Sequence, residues 1–204
     1  MEYTRTPGPP SGGVACVKIA VVLPAYNEEG NLTPLIDELV DVAQRGALAL
    51  HVIVVNDGST DGTAAELAEL GRRVTCLHVV THPANRGLAC ALKTGIGAAR
   101  DCGCDAVVFM DSDLSHRPDD LRKLVAALAG GADVALGSRF VPGGGMEGVP
   151  FWRVLISRLG NGFGRRVLRL PIHDLTTGYR AMRRRRCSTR SCSARTVSGF
   201  NSRA

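Results

Sequence analysis

The chain has 204 residues, 45% of them hydrophobic and 4% aromatic, and a formal charge of +6, which suits one domain with a buried core. Seven Arg lie in residues 183–204, which contain no acid, so the remainder sets eighteen basic residues against nineteen acidic ones; with few aromatics to stack bases, this points away from nucleic-acid binding. Seven cysteines, among them Cys102-Gly103-Cys104 without a two-residue gap, and the lack of any secretory signal or span of about 18 apolar residues indicate idle thiols in a cytoplasmic protein.

Residues 1–15 read as a disordered leader rich in Pro and Gly. Residues 17–23 form a near-continuous apolar run, the pattern of a strand covered on both faces, and Pro24 ends it. Over residues 31–45, Leu32, Leu35, Ile36, Leu39 and Ala43 recur at helical spacing with Asp37, Glu38 and Asp41 opposite. The unit then repeats. Residues 51–55 predict a second strand and 56–62 a turn-rich loop, after which Thr63-Ala-Ala-Glu66 predicts a capping box on a helix with Leu67 and Leu70 inward.

Residues 74–80 predict a third strand, 88–100 a helix, 105–110 a fourth strand, 118–129 a helix begun by Pro118, and 133–137 a fifth strand. Such alternation with short links implies an α/β fold with parallel strands and right-handed crossovers. Residues 141–148 are a glycine-rich loop suited to closing over a ligand. In residues 151–170 one apolar stripe is edged by Arg158, Arg165 and Arg169, the pattern of either a membrane-interface helix or a core-facing one. Residues 184–204 lack periodicity and read as an unstructured basic tail.

The fourth strand ends in Asp111-Ser112-Asp113. Alone, two carboxylates with one residue between them fit a solvated acidic turn. At the carboxyl end of a strand in an open α/β sheet, they can also hold a hard divalent cation through oxygen and leave positions for phosphate. The glycines at 95 and 97 lie inside a helix and lack a third partner, so they are no dinucleotide fingerprint; P-loop, nucleophile-elbow and H-E-x-x-H patterns are missing too.

Five segments set a wider pattern: Pro24-Ala-Tyr26-Asn27-Glu28, the run from Val55 through Asn56, Asp57 and Gly58 to Asp61, Asp111-Ser112-Asp113, Gly137-Ser138-Arg139-Phe140, and the run from Asp174 to Arg180. In this order and spacing, over residues 17–183, they resemble the family 2 glycosyltransferases, most closely the polyprenol-phosphate and dolichol-phosphate mannose synthases. Two features depart from the family pattern: Asn56 stands where many relatives carry Asp, and the tail lacks a further apolar helix and strand.

The resemblance implies a single GT-A domain over residues 16–183 and metal-dependent, inverting transfer of a hexose, mannose from GDP-mannose, to a polyprenyl phosphate at the cytoplasmic face of a membrane. It implies a nucleotide-sugar site built from Pro24, Tyr26, Glu28, Val55, Asp57, Asp111, Ser112, Asp113 and Arg139. Mg²⁺ or Mn²⁺ would sit on Asp111 and Asp113, with Ser115 a further ligand. The catalytic group would be Asp113, Arg139 and Arg180, the arginines meeting phosphates through their two-pronged donors.

A lipid phosphate is already anionic at neutral pH, so no strong base is needed, and His78, His82 and His116 read as structural. A saccharide acceptor would need a base, for which Asp174 is the candidate. Rival readings are a UDP-glucose donor or a saccharide acceptor, a catalytically deficient nucleotide-binding module, and a sugar-1-phosphate nucleotidyltransferase. The last lacks its glycine-rich signature, since Pro24-Ala-Tyr26-Asn27-Glu28 occupies that place.

Overall fold

All of the apolar run of residues 17–23 except Val17 lies in β1 (Lys18–Ala25), the third strand of a seven-stranded sheet in the computed structural model, which describes residues 17–137, 145–146, 178–184, 194–197 and 201–202. Along the chain follow α1 (Leu32–Arg45), β2 (Ala49–Asn56), α2 (Thr63–Arg73), β3 (Leu77–Thr81), α3 (Leu88–Asp101) and β4 (Ala106–Phe109). A 3-10 turn at Pro118–Asp120 then leads into α4 (Leu121–Ala129), β5 (Val134–Gly137), β6 (Gly145–Met146), β7 (Arg180–Arg183), β8 (Ala194–Val197) and β9 (Asn201–Ser202).

The large sheet runs β3-β2-β1-β4-β7-β5-β8. All its pairings are parallel except those of β7, which is antiparallel to β4 and β5. β6 and β9 form a separate short pair. The central strand shows why its sequence is apolar throughout: Ile19, Val21 and Leu23 pack with α1, α2 and α4, while Ala20 and Val22 face α3. All five are fully buried, as expected for a strand covered on both faces. Gly95 lets α3 approach, because a Cβ there would stand 2.3 Å from Val22 Cγ1.

The structure differs from the sequence reading at several ends. The third strand begins at Leu77 rather than residue 74, because Val74 still caps α2 through its N–H to Leu70 O. No capping box forms at Thr63: the N-cap is Gly62, and Glu66 reaches across to α1 instead. Its Oε2 accepts the Gly30 N–H at 2.7 Å, and its Oε1 accepts the Thr33 N–H at 2.7 Å and the Thr33 hydroxyl at 2.6 Å. Within the stretch that reads as an unstructured tail, residues 194–197 pair in parallel with β5. The leader, most of the glycine-rich loop and the striped segment 151–170 lie outside the described residues.

Candidate nucleotide and metal site

Parallel strands wound this way carry their ligands beyond the carboxyl ends. The register brings three loops to one level there: Pro24 and Ala25 pair with Val55 and Asn56, and Val22 with Phe109. The Ser112 hydroxyl ties the third loop to the first by donating to Pro24 O at 2.8 Å. Between the loops lies a cleft of about 380 Å³, with Pro24, Tyr26, Glu28 and Asp57 on one side and the Asp111-Ser112-Asp113 turn on the other.

Local chemistry fixes the first two loops against each other. Asn27 sits at φ 57°, a left-handed conformation that Asn tolerates. Its Oδ1 accepts the Thr60 N–H at 2.8 Å and its own N–H donates to Ser59 Oγ at 3.0 Å, while the Glu28 N–H donates to Thr63 Oγ1 at 2.9 Å. Glu28 Oε2 in turn accepts from Asn31 Nδ2. Gly58, at φ +71°, passes so near the backbone of Ala84 and Asn85 that a side chain has no room.

Asp57 is 3% exposed, and its carboxylate is already engaged by the chain. It accepts the N–H groups of Arg86 (3.0 and 3.1 Å) and Gly87 (2.8 Å) and stands 2.6 Å from His82 Nδ1. Burial pushes the carboxyl up, but the His82 ring and the two backbone donors outweigh it and hold Asp57 below the usual aspartate range. With Nδ1–H turned to Asp57, His82 accepts the Thr94 hydroxyl at Nε2, 2.9 Å away. Asp57 therefore fixes the segment leading into α3, whose Gly87, Leu88 and Ala91 form another part of the cleft wall. Sequence reading missed these residues; the signal available was Asn85-Arg86-Gly87 just before a helix.

Asp111 is half exposed, and His116 Nε2–H donates to its Oδ2 at 3.1 Å. The His116 ring rests against Tyr179, centroids 5.0 Å apart. Gly178 leaves space over Asp111, since a Cβ there would stand 2.6 Å from Asp111 Oδ2. Asp113 is exposed, with Oδ1 accepting the Ser115 N–H at 3.0 Å across a turn that holds Leu114 at φ 61°. Two carboxylates with one residue between them, one oriented by a ring donor and the other by a backbone amide, with open space above, fit a hard divalent cation.

Other predicted residues are placed differently. Val55 is fully buried in β2 and does not line the cleft. Arg180 lines an adjoining pocket of about 240 Å³ that shares Pro24, Leu88 and Asp111 with the cleft and has an apolar wall of Leu92, Ile96, Phe109 and Met182. Arg139 and Asp174 lie outside the described residues. Among the described residues no helix is long and apolar enough to cross a membrane.

Residues 20–189 match the family model Glycosyl transferase family 2, and the chain belongs to that family. It is 41% identical over 165 residues to the polyprenol monophosphomannose synthase of Mycolicibacterium smegmatis, an alignment covering 80% of this chain and 61% of that protein. A mannosyltransferase from Pyrobaculum calidifontis, solved with GDP-Man and Mn²⁺, superposes with a TM-score of 0.52 at 27% identity over 60% of this chain and 35% of that one. The glucosyl-3-phosphoglycerate synthase of Mycobacterium tuberculosis, solved with Mn²⁺ and UDP-Glc, gives a TM-score of 0.60 at 27% identity over 82% of this chain and 56% of that one. The sheet and these neighbours are those of a GT-A fold. The chain thus spans 61% of the length of that synthase.

Proposed function

We propose that the protein transfers mannose from GDP-mannose to a polyprenyl phosphate, inverting the anomeric centre. One observation carries this reading: the Asp111-Ser112-Asp113 turn shares a cleft with Tyr26, Glu28 and Asp57, in a chain 41% identical to a polyprenol monophosphomannose synthase. In this reading Pro24, Tyr26 and Glu28 receive the nucleoside. Asp57 acts from beneath, holding the Arg86-Gly87 entry to α3 so that the positive end of the helix meets the diphosphate.

Asp111 and Asp113 would hold Mg²⁺ or Mn²⁺, with the Ser115 hydroxyl as a further ligand. When bound, the cation neutralises charge on the departing diphosphate. Arg180, at the edge of the neighbouring pocket, and Arg139 meet acceptor and donor phosphates by paired hydrogen bonds. The wall of Leu92, Ile96, Phe109 and Met182 beside Arg180 suits an isoprenoid tail next to its phosphate. An anionic phosphate oxygen attacks the anomeric carbon, the bond from that carbon to the diphosphate breaks, and GDP leaves. Positioning and charge stabilisation do the catalysis, without a general base.

The test is incubation with labelled GDP-mannose, a polyprenyl phosphate and Mn²⁺ or Mg²⁺, comparing the chain with Asp113→Asn. Label is expected in a lipid product labile to mild acid, and the substitution is expected to abolish it. Transfer from UDP-glucose alone would replace the donor assignment. Donor binding without transfer to any acceptor would make the chain a nucleotide-binding module, and no donor binding would overturn the reading.

A further inference from the structure

Far from the acidic turn, three side chains of other chemistry converge. In the β2–β3 register His78 is the partner of Ile53, which faces α3; His51, two residues before Ile53, shares that face by the alternation of a strand. Both imidazoles therefore lie beneath the end of α3. There Gly103, at φ +70°, turns the chain back toward β4, and the N–H groups of Cys102, Gly103 and Cys104 close onto the last helical carbonyls. That turn delivers the half-buried Cys102 to the two rings.

We propose that His51, His78 and Cys102 form a binding site for a soft or borderline transition-metal ion, Zn²⁺ in the first instance. One ligand atom from each lies within 4.8 Å of the other two. His51 Nδ1 and His78 Nε2 are 3.0 Å apart, with the rings stacked at a centroid distance of 5.2 Å. Tetrahedral zinc with bonds of about 2.0–2.3 Å sets its ligand atoms about 3.3–3.6 Å apart, so small side-chain rotations suffice. The ligands come from β2, β3 and the cap of α3, which the sheet and helix already hold in place. Three protein donors leave a fourth position to water.

The ring chemistry agrees. A metal takes the neutral imidazole and the thiolate, so each of the three side chains must offer a free lone pair on binding. Without metal the facing nitrogens share one proton. On binding, that proton moves to the far nitrogen of its own ring, both facing nitrogens present lone pairs, and the Cys102 thiol releases its proton to solvent as the metal–sulfur bond forms. One proton leaves per ion bound.

This pocket is also chemically distinct from the acidic turn. Nitrogen and sulfur favour zinc, cobalt or copper, whereas the carboxylates of Asp111 and Asp113 favour magnesium or manganese. His51 lies near the amino end of β2, about 20 Å by strand rise from Asp57 at the other end.

The experiment titrates Co²⁺ alone into the reduced, metal-free full chain. One equivalent is expected to produce a cobalt–thiolate charge-transfer band with tetrahedral visible absorption, displaced by Zn²⁺. His51→Asn and Cys102→Ser are expected to lose the band and weaken binding at least tenfold, while Cys90→Ser and Asp113→Asn keep both. Far-UV circular dichroism identifies which variants fold, and either folded ligand variant decides the matter. A missing thiolate band in the parent chain, or a band unchanged in a folded ligand variant, overturns the site.

Discussion

Asp57 is the residue whose motif was legible and whose work was not. Asn56-Asp57-Gly58 reads as a strand-end turn near a nucleotide, but its partners are His82, Arg86 and Gly87, twenty-five to thirty residues later, and a local pattern cannot contain them. Asp57→Asn preserves shape and removes the anionic acceptor, so we expect a loss of about 1–3 kcal/mol in chemical denaturation and weaker GDP binding through a loosened α3 entry. The pH sign follows from the depressed carboxyl. The unfolded chain takes up the Asp57 proton near the ordinary value of 3.8 and the folded chain only at lower pH. The stabilisation from Asp57 is thus complete above that value and lost as pH falls through the folded pKa, and the difference between parent and Asp57→Asn melting temperatures should shrink there. Gly178 gives a second residue-scale test. Gly178→Ala puts a methyl against the Asp111 carboxylate, so Mn²⁺ affinity measured by calorimetry should fall tenfold or more, while the melting temperature moves little because the displaced carboxylate is half exposed.

Among the elements, β1, β2, α1 and α4 could be read because burial repeats with the period of the element: both faces of a strand, one face of a helix. Where partners far along the chain decide, the reading failed. The local pattern assigns Glu66 to its own helix end, yet the N–H groups of Gly30, just before α1, and Thr33, in its first turn, draw its carboxylate across. β7, Arg-Ala-Met-Arg, has no apolar run to announce it; it is a strand because β4 and β5 leave an antiparallel slot between them. Gly95 shows how tertiary contact overrides propensity. Ala in place of Gly within a helix gains about 1 kcal/mol, but the new methyl would meet Val22 Cγ1 and overpacking costs about 1–3 kcal/mol. Gly95→Ala should therefore lower the melting temperature, whereas Gly97→Ala, with nothing within 4 Å, should raise it.

For the molecule as a whole, the cleft couples ligand binding to the stability of the sheet that carries it. Loops from β1, β2 and β4 meet at the rim only while those strands are in register, so the site does not exist in the unfolded chain and any ligand of the site stabilises the fold by mass action. At a hundredfold excess over its Kd, a ligand contributes about 2.7 kcal/mol. For a chain of this length each kcal/mol moves the melting temperature by about 2–4 °C. GDP with Mn²⁺ should therefore raise the melting temperature by about 5–10 °C, and chelation should return it to the ligand-free value. Asp113→Asn, which removes one hard oxygen donor from an exposed position, should abolish most of the shift while leaving the ligand-free melting temperature within about 1–2 °C of the parent. Mn²⁺ alone should give a smaller shift, since on the proposed reading it would occupy the acidic turn without filling the wall of Pro24, Tyr26 and Glu28. A shift of equal size in parent and Asp113→Asn would place the nucleotide and its cation away from this rim.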